Sequence, residues 1–219
     1  MNDTVATVTR NVARRAQPAD ERAKGAELTR ERILRAALEE FGAKGFAGAR
    51  TASIAARAGV NQQLISYHFG GKQGLLDELR RRWSSVESTL VPPNASFEDG
   101  FAAYLEATLD NPNWARLVLW QALGDAEATP VDTLVPRLRR AVASVRRRQE
   151  AGEITTDLEP EFILFLSYVL TFAPLAVPQF VGGILGVDPL SPEYRHRCVE
   201  QLSRVLHPDR QERIQESNR

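Results

Sequence analysis

Between positions 62 and 72 the chain gathers two amides (Gln62, Gln63), a hydroxyl (Ser66), a phenol (Tyr67), an imidazole (His68) and an ammonium (Lys72). Almost none of this stretch is charged, so it offers donors and acceptors rather than a strong field. A short helix with such a polar face is what the major groove of DNA admits and can be read by. The flanking residues suit the task of holding it. Ala52, Ile54, Ala55 and Ala58 fit a short helix packed on one face, with Thr51 as its N-cap. Gly59 stands where that helix must stop in the left-handed conformation that glycine adopts without penalty. Val60 would fill the space beneath the turn, and Asn61 would cap the next helix, Gln62 to Phe69.

A third helix must complete such a head. Thr29 opens a candidate with the S/T-x-x-polar pattern, and Ile33, Leu34, Ala37, Leu38 and Phe41 form one apolar stripe along it. Gly42 and Gly45 loosen its end. The expected core of the head is Ile33, Leu38, Phe41, Phe46, Ile54, Val60, Ile65 and Phe69. Residues 1–27 show no helical apolar periodicity and read as a disordered arm.

Charge is distributed unevenly. The chain of 219 residues is neutral overall, yet residues 29–76 carry seven basic against three acidic side chains, a net of +4. A basic module on an acidic body matches a local phosphate footprint. Arginine is used 25 times and lysine three times; runs such as Arg80-Arg81-Arg82 therefore read first as solvated helix faces. The lone Cys198 cannot form an intramolecular disulfide, and Met1 to Gly25 contains no apolar signal core, so a cytoplasmic protein is expected.

Beyond Lys72 every segment looks helical: about Leu75–Leu90, Phe97–Asp110, Trp114–Ala126 and Pro136–Ala151, the last closed by Gly152. No alternating strand pattern or internal repeat interrupts them. The expected fold is all-α, with a helix-turn-helix head over 28–74 and a larger helical body over 75–219. Residues 162–187 hold no charged side chain and, as one helix, would span roughly 39 Å, enough for a bilayer. Pro174, Pro178, Gln179 and three glycines break such a span, and no basic cluster flanks it. Burial at a subunit interface is the preferred reading, with no membrane partner.

The head resembles the DNA-binding domain of the TetR family of bacterial transcriptional regulators. The resemblance runs from about Thr29 to Leu76, on Phe41, Gly45-Phe46, Thr51, Ile54-Ala55, Ala58-Gly59-Val60, Tyr67-His68-Phe69 and Lys72 in order. It implies that Gln62, Gln63 and Ser66 read bases, an amide being able to bond adenine bidentately. It also implies that Thr51, Asn61, Tyr67, His68 and Lys72 grip phosphates. Many relatives have a second tyrosine where this chain has Ser66, so less contact is expected there. Gly74, in the first turn of the helix after Lys72, serves either mobility or close packing.

The resemblance further implies a homodimer paired through about 162–185 and 192–206, as a four-helix interface. Its heads would meet successive major grooves, roughly 34 Å apart, on a pseudo-palindromic operator in double-stranded DNA. An unknown small-molecule effector, apolar or aromatic, would act through the body of such a repressor. Aromatic side chains that could surround it are Trp83, Phe101, Tyr104 and Trp114, together with Trp120, Phe165, Tyr168 and Phe172. An enzyme is not expected: His68, His196 and His207 are scattered, and no HExxH, CxxC, P-loop or dinucleotide glycine pattern appears. No catalytic residue, metal site or cofactor is therefore assigned. An architectural or cell-division factor with the same head and no effector remains the alternative.

Overall fold

A computed structural model describes residues 19–92, 94–124 and 131–207. Among these residues all regular structure is helical. The order is α1 (Ala19–Gly48), α2 (Thr51–Ala58), α3 (Gln63–Phe69), α4 (Lys72–Leu90) and α5 (Phe97–Asp110). Then follow α6 (Pro112–Ala122), α7 (Val131–Glu150), α8 (Pro160–Ala176), α9 (Pro178–Leu185) and α10 (Pro192–Leu206). Proline opens α6, α8, α9 and α10, where its missing N–H is one the helix could not have paired. Ser191 caps α10, accepting from the Tyr194 N–H at 3.2 Å, and Ser96 caps α5, accepting from the Asp99 N–H at 3.0 Å.

The first helix does not begin at Thr29. It is already formed at Ala19, and the Thr29 hydroxyl donates to the Gly25 carbonyl at 2.8 Å, inside the helix. The arm expected over 1–27 is thus helical over its last nine residues, while 1–18 lie outside the described residues. Ala, Glu, Lys and Arg are good helix formers, and extending an existing helix needs no new nucleus. An apolar stripe is unnecessary where the side chains are exposed, as those of Glu21 and Ala23 to Leu28 are. At the other end, Gly45 (φ 70°) kinks α1 and turns its last residues back. The body helices also shift: α6 starts at Pro112 and ends at Ala122, and α7 starts at Val131 with Pro136 inside it.

Two cores hold the chain. The first joins Ile33, Ala37 and Phe41 of α1 to Ile54, Ile65, Leu75 and Leu76, and takes in Trp114 and Leu117 of α6. Leu38, Phe46, Val60 and Phe69, expected within the head's core, pack at its margin. The second gathers Phe101 and Leu105 of α5, Val145 of α7, Ile163 of α8 and Tyr194, Cys198 and Leu202 of α10. α6 therefore belongs by packing to the head. At the crossing of α1 and α6 a side chain on Gly42 would meet the Asn113 carbonyl oxygen at 2.7 Å, so only glycine permits the approach.

Residues 162–187 form two helices rather than one. α8 and α9 meet at a bend of 104°, at the break made by Val177 and Pro178. Among the described residues no single helix is long and apolar enough to cross a membrane. Ile163, Ser167, Thr171 and Pro174 of α8 face inward, and the Ser167 and Thr171 hydroxyls donate to carbonyls four residues back.

Candidate nucleic-acid interface

The turn between α2 and α3 is built as its residue types demand. Gly59 takes φ 63° and ψ 41°, and the Val60 N–H reaches back to the Ala55 carbonyl at 3.0 Å. Asn61 Oδ1 accepts from the Gln63 N–H at 2.9 Å and so caps α3. Thr51 is not the cap of α2: that position falls to Arg50, which makes no side-chain cap bond. The Thr51 hydroxyl instead accepts from Gln62 Nε2 at 2.8 Å. This bond joins the first turns of α2 and α3 and places two DNA candidates in contact.

The outer face of α3 is open. Gln62, Gln63, Ser66 and Tyr67 are exposed, Tyr67 to 81%, whereas Ile65 beneath them is fully buried. The Tyr67 and His68 rings meet edge to face at 5.0 Å. Lys72 begins α4; its ammonium lies over the Phe46 ring at 4.5 Å and donates to the Ala47 carbonyl at 3.3 Å. Gly70 and Gly71, both with positive φ, form the turn between α3 and α4. A side chain on Gly74 would fall 1.7 Å from the Phe69 carbonyl oxygen, so close packing, not mobility, explains that glycine.

The basic excess of the head is mostly spent internally. Arg32 donates to the Ala58 and Gly59 carbonyls at 2.6 and 3.0 Å, closing the C-terminus of α2. Arg30 donates to the His68 carbonyl at 2.9 Å and lies over the Phe69 ring. Arg57 pairs with Glu39 at 3.1 Å. Lys44 pairs with Glu40 at 2.7 Å. Glu40 is fully buried, and the Lys44 hydrogen bond holds its carboxyl below the usual carboxylate range against the cost of burial. Sequence reasoning passed over Arg30, Arg32 and Glu40 as positioning groups, since a charge count does not show where a side chain points. What faces outward on α3 is chiefly polar and uncharged, suited to reading groove edges.

The aromatic candidates divide. Trp83 and Trp114 stack at 5.2 Å within the head's core, and neither lines the cavity that takes in Phe101 and Tyr104. Trp120 Nε1 donates to the Gly42 carbonyl at 3.3 Å, on the α1–α6 seam. Phe165 is 61% exposed on the outside of α8, and Phe172 stacks on Tyr168 at 6.3 Å. Phe101, Tyr104 and Tyr168 do line a cavity of about 320 Å³ between α4, α5, α7 and α8. Phe97 joins them there, unremarked in the sequence. On α8, Phe162, Phe165 and Val169 are exposed, and on α9, Phe180 and Ile184.

Against known proteins, residues 33–79 match the family model described as bacterial regulatory proteins, tetR family. Residues 99–203 match the model of the tetracyclin repressor-like C-terminal domain. The chain is 32% identical over 179 residues to the HTH-type transcriptional repressor SCO4008 of Streptomyces coelicolor, covering 77% of this chain and 92% of that protein. It is 26% identical to the Tetracycline repressor protein class C of Escherichia coli, over 81% of this chain and 74% of that one. The crystal structure of putative transcriptional regulator SCO4942 from Streptomyces coelicolor shares the fold, with a TM-score of 0.65 at 24% identity, over 81% and 98% of the two chains.

Proposed function

The chain belongs to the TetR family of bacterial regulatory proteins, DNA-binding transcriptional regulators, and from that premise we propose that it is a homodimeric repressor released by a small molecule. The observation that carries the dimer is the apolar face of α8 and α9. Phe165 at 61%, Phe180 at 67% and Ile184 at 77% exposure are large apolar side chains that water disfavours and a second copy would cover. α10, which follows in the chain, packs on α5, is tied to α8 by the Tyr194 hydroxyl on the Leu170 carbonyl, and would complete the pairing element. The Streptomyces relative is named a repressor, which supports that sign of regulation here.

Each protomer would lay α3 in a major groove, the two grooves roughly 34 Å apart on a pseudo-palindromic site. Gln63 and Ser66 would read base edges, with Gln62 both reading and held by Thr51. Thr51, Asn61, Tyr67, His68 and Lys72 would hold the backbone on either side. An effector in the cavity lined by Phe101, Tyr104 and Tyr168 would act through α4, whose far end walls the cavity and whose first residue is Lys72. It shifts the heads only insofar as it binds one spacing better than the other. The place of action is the cytoplasm, where the chromosome is.

Footprinting on the DNA around this protein's own gene, paired with sedimentation, tests the reading. One protected inverted repeat holding two protomers is expected. A monomer at micromolar concentration overturns the dimer. Protection of many unrelated dispersed sites overturns the repressor in favour of an architectural factor.

A further inference from the structure

The cavity between α4, α5, α7 and α8 has a distinctive polar inventory. Its volume, about 320 Å³, falls in the range of small-molecule sites, and Phe97, Phe101, Tyr104 and Tyr168 give it aromatic walls. Two charged side chains reach it, and each already has an opposite charge. Glu87 Oε2 accepts from Arg137 Nη1 at 2.8 Å. Arg148 is bound to Glu153 and donates to the Ala95 carbonyl at 2.8 Å, while Glu153 also accepts from the Phe97 N–H at 2.9 Å. The Ser167 hydroxyl donates to the Ile163 carbonyl, and that of Ser96 accepts from the Asp99 N–H.

The hydroxyls that remain as donors are those of Ser96, Ser144, Tyr104 and Tyr168, and of these the two phenols sit on the aromatic walls that would hold a ring. The two rings meet edge to face at 6.0 Å, and both line the cavity beside Glu87. Burial raises both above the ordinary phenol value, so each keeps its proton and donates. A cation would have to displace Arg137 from Glu87, and an anion to displace Glu153 from Arg148. Either exchange gives up an existing ion pair for a new one, whereas an uncharged guest leaves both pairs intact.

We propose that this cavity takes an uncharged, flat aromatic ligand whose hydrogen-bond acceptor meets the hydroxyls of Tyr104 and Tyr168. The assignment rests on the reading above that the body holds a small-molecule effector. Ring faces set at right angles suit a planar guest, stacked on one ring and edged by the other. A carbonyl or ether oxygen on that guest satisfies the two donors without disturbing either ion pair.

Calorimetric titration of the full chain, free of DNA, with three aromatic probes tests this. The probes are flavone (uncharged, with a ketone acceptor), ethidium (a cation) and 1-anilinonaphthalene-8-sulfonate (an anion). Flavone is expected to bind, and the other two to bind more weakly. Tyr104→Phe and Tyr168→Phe should each weaken flavone by roughly 3- to 10-fold, the worth of one hydrogen bond. Ala141→Trp, which fills the cavity, should abolish its binding. If ethidium or the sulfonate binds and flavone does not, the proposal fails while the effector reading stands. Flavone binding left unchanged in both tyrosine variants likewise overturns it. Absence of binding by all three probes overturns the effector reading together with this proposal.

Discussion

Lys72 and Gln63 represent the two kinds of contact a DNA-facing side chain can make. On the proposed reading, the ammonium at the start of α4 would meet phosphate regardless of sequence, whereas the exposed amide on α3 would meet base edges. Lys72→Ala should therefore weaken binding to all DNA sequences alike and lower the salt slope by about one, as read by anisotropy titrations at several salt concentrations. Gln63→Ala should leave the salt slope alone and relax base preference. Gln62 differs, because its Nε2 is bonded to Thr51 Oγ1. Its loss should relax base preference and also loosen the join between α2 and α3, which Thr51→Val should reproduce in part. Unchanged preference in both glutamine variants would remove α3 as the reading face. That Gln62 and Gln63 lie on an open face was legible from residue type and spacing, and their DNA roles are what the family resemblance implies. The roles of Arg30 and Arg32 were not, since the carbonyls they close lie 38 and 26 residues away along the chain.

Pro174 shows how a single residue shapes an element and then its neighbour. Lacking an N–H, it leaves the Leu170 carbonyl without its helical donor, and the Tyr194 hydroxyl of α10 donates there at 2.6 Å. The prolines were readable as breaks in 162–187; the tyrosine from α10 that answers one of them was not, because only packing brings it close. Tyr194→Phe should leave that part-buried carbonyl without a donor and cost about 1 kcal/mol in urea unfolding. Pro174→Ala restores the missing donor, so the double variant should lose less than Tyr194→Phe alone does from wild type. An equal loss in both backgrounds would show that the hydroxyl acts through packing only. A second join, α1 to α4, is electrostatic. Arg82 donates to Glu31 at 2.6 Å and to Glu78 at 3.0 Å. Arg81 and Arg82 hold the Glu78 carboxyl at about 2, well under its ordinary 4.5. Because the folded value is the lower one, this join stabilises fully above pH 4.5 and fades as pH falls toward 2. Glu31 and Glu40 are shifted the same way and add the same sign. Melting temperature should drop across that interval, and Glu78→Gln should flatten the drop; a profile unchanged by Glu78→Gln would mean that other carboxylates carry it.

At the scale of the whole molecule the sequence boundary near residue 74 and the packing boundary do not coincide. α6 lies in the body by sequence yet closes the head's core through Trp114 and Leu117. Its aromatics looked like cavity candidates because helical spacing marks a buried face without saying against what it is buried. The all-helical class, the head and the apolar 162–187 stretch were legible, since local pattern alone carries them. What the stretch faces is a question of assembly. Phe165 is 61% exposed in the protomer and Phe162 lies beside it at 6.4 Å between ring centroids, so neither contributes much to the chain's own core. Phe165→Glu should therefore leave the helical content intact, as surface substitutions usually do. In a dimer the same carboxylate would be buried without a partner, a cost several times that of the lost apolar contact. Sedimentation should then show a monomer where wild type is a dimer. Two heads bound through one rigid dimer gain effective concentration that separate monomers lack, so operator affinity should fall by about a hundredfold or more while contacts within each half-site are unchanged. A variant that stays dimeric would place the interface elsewhere. A monomer that keeps full affinity would show that each head binds alone, and that spacing between heads cannot be what an effector controls.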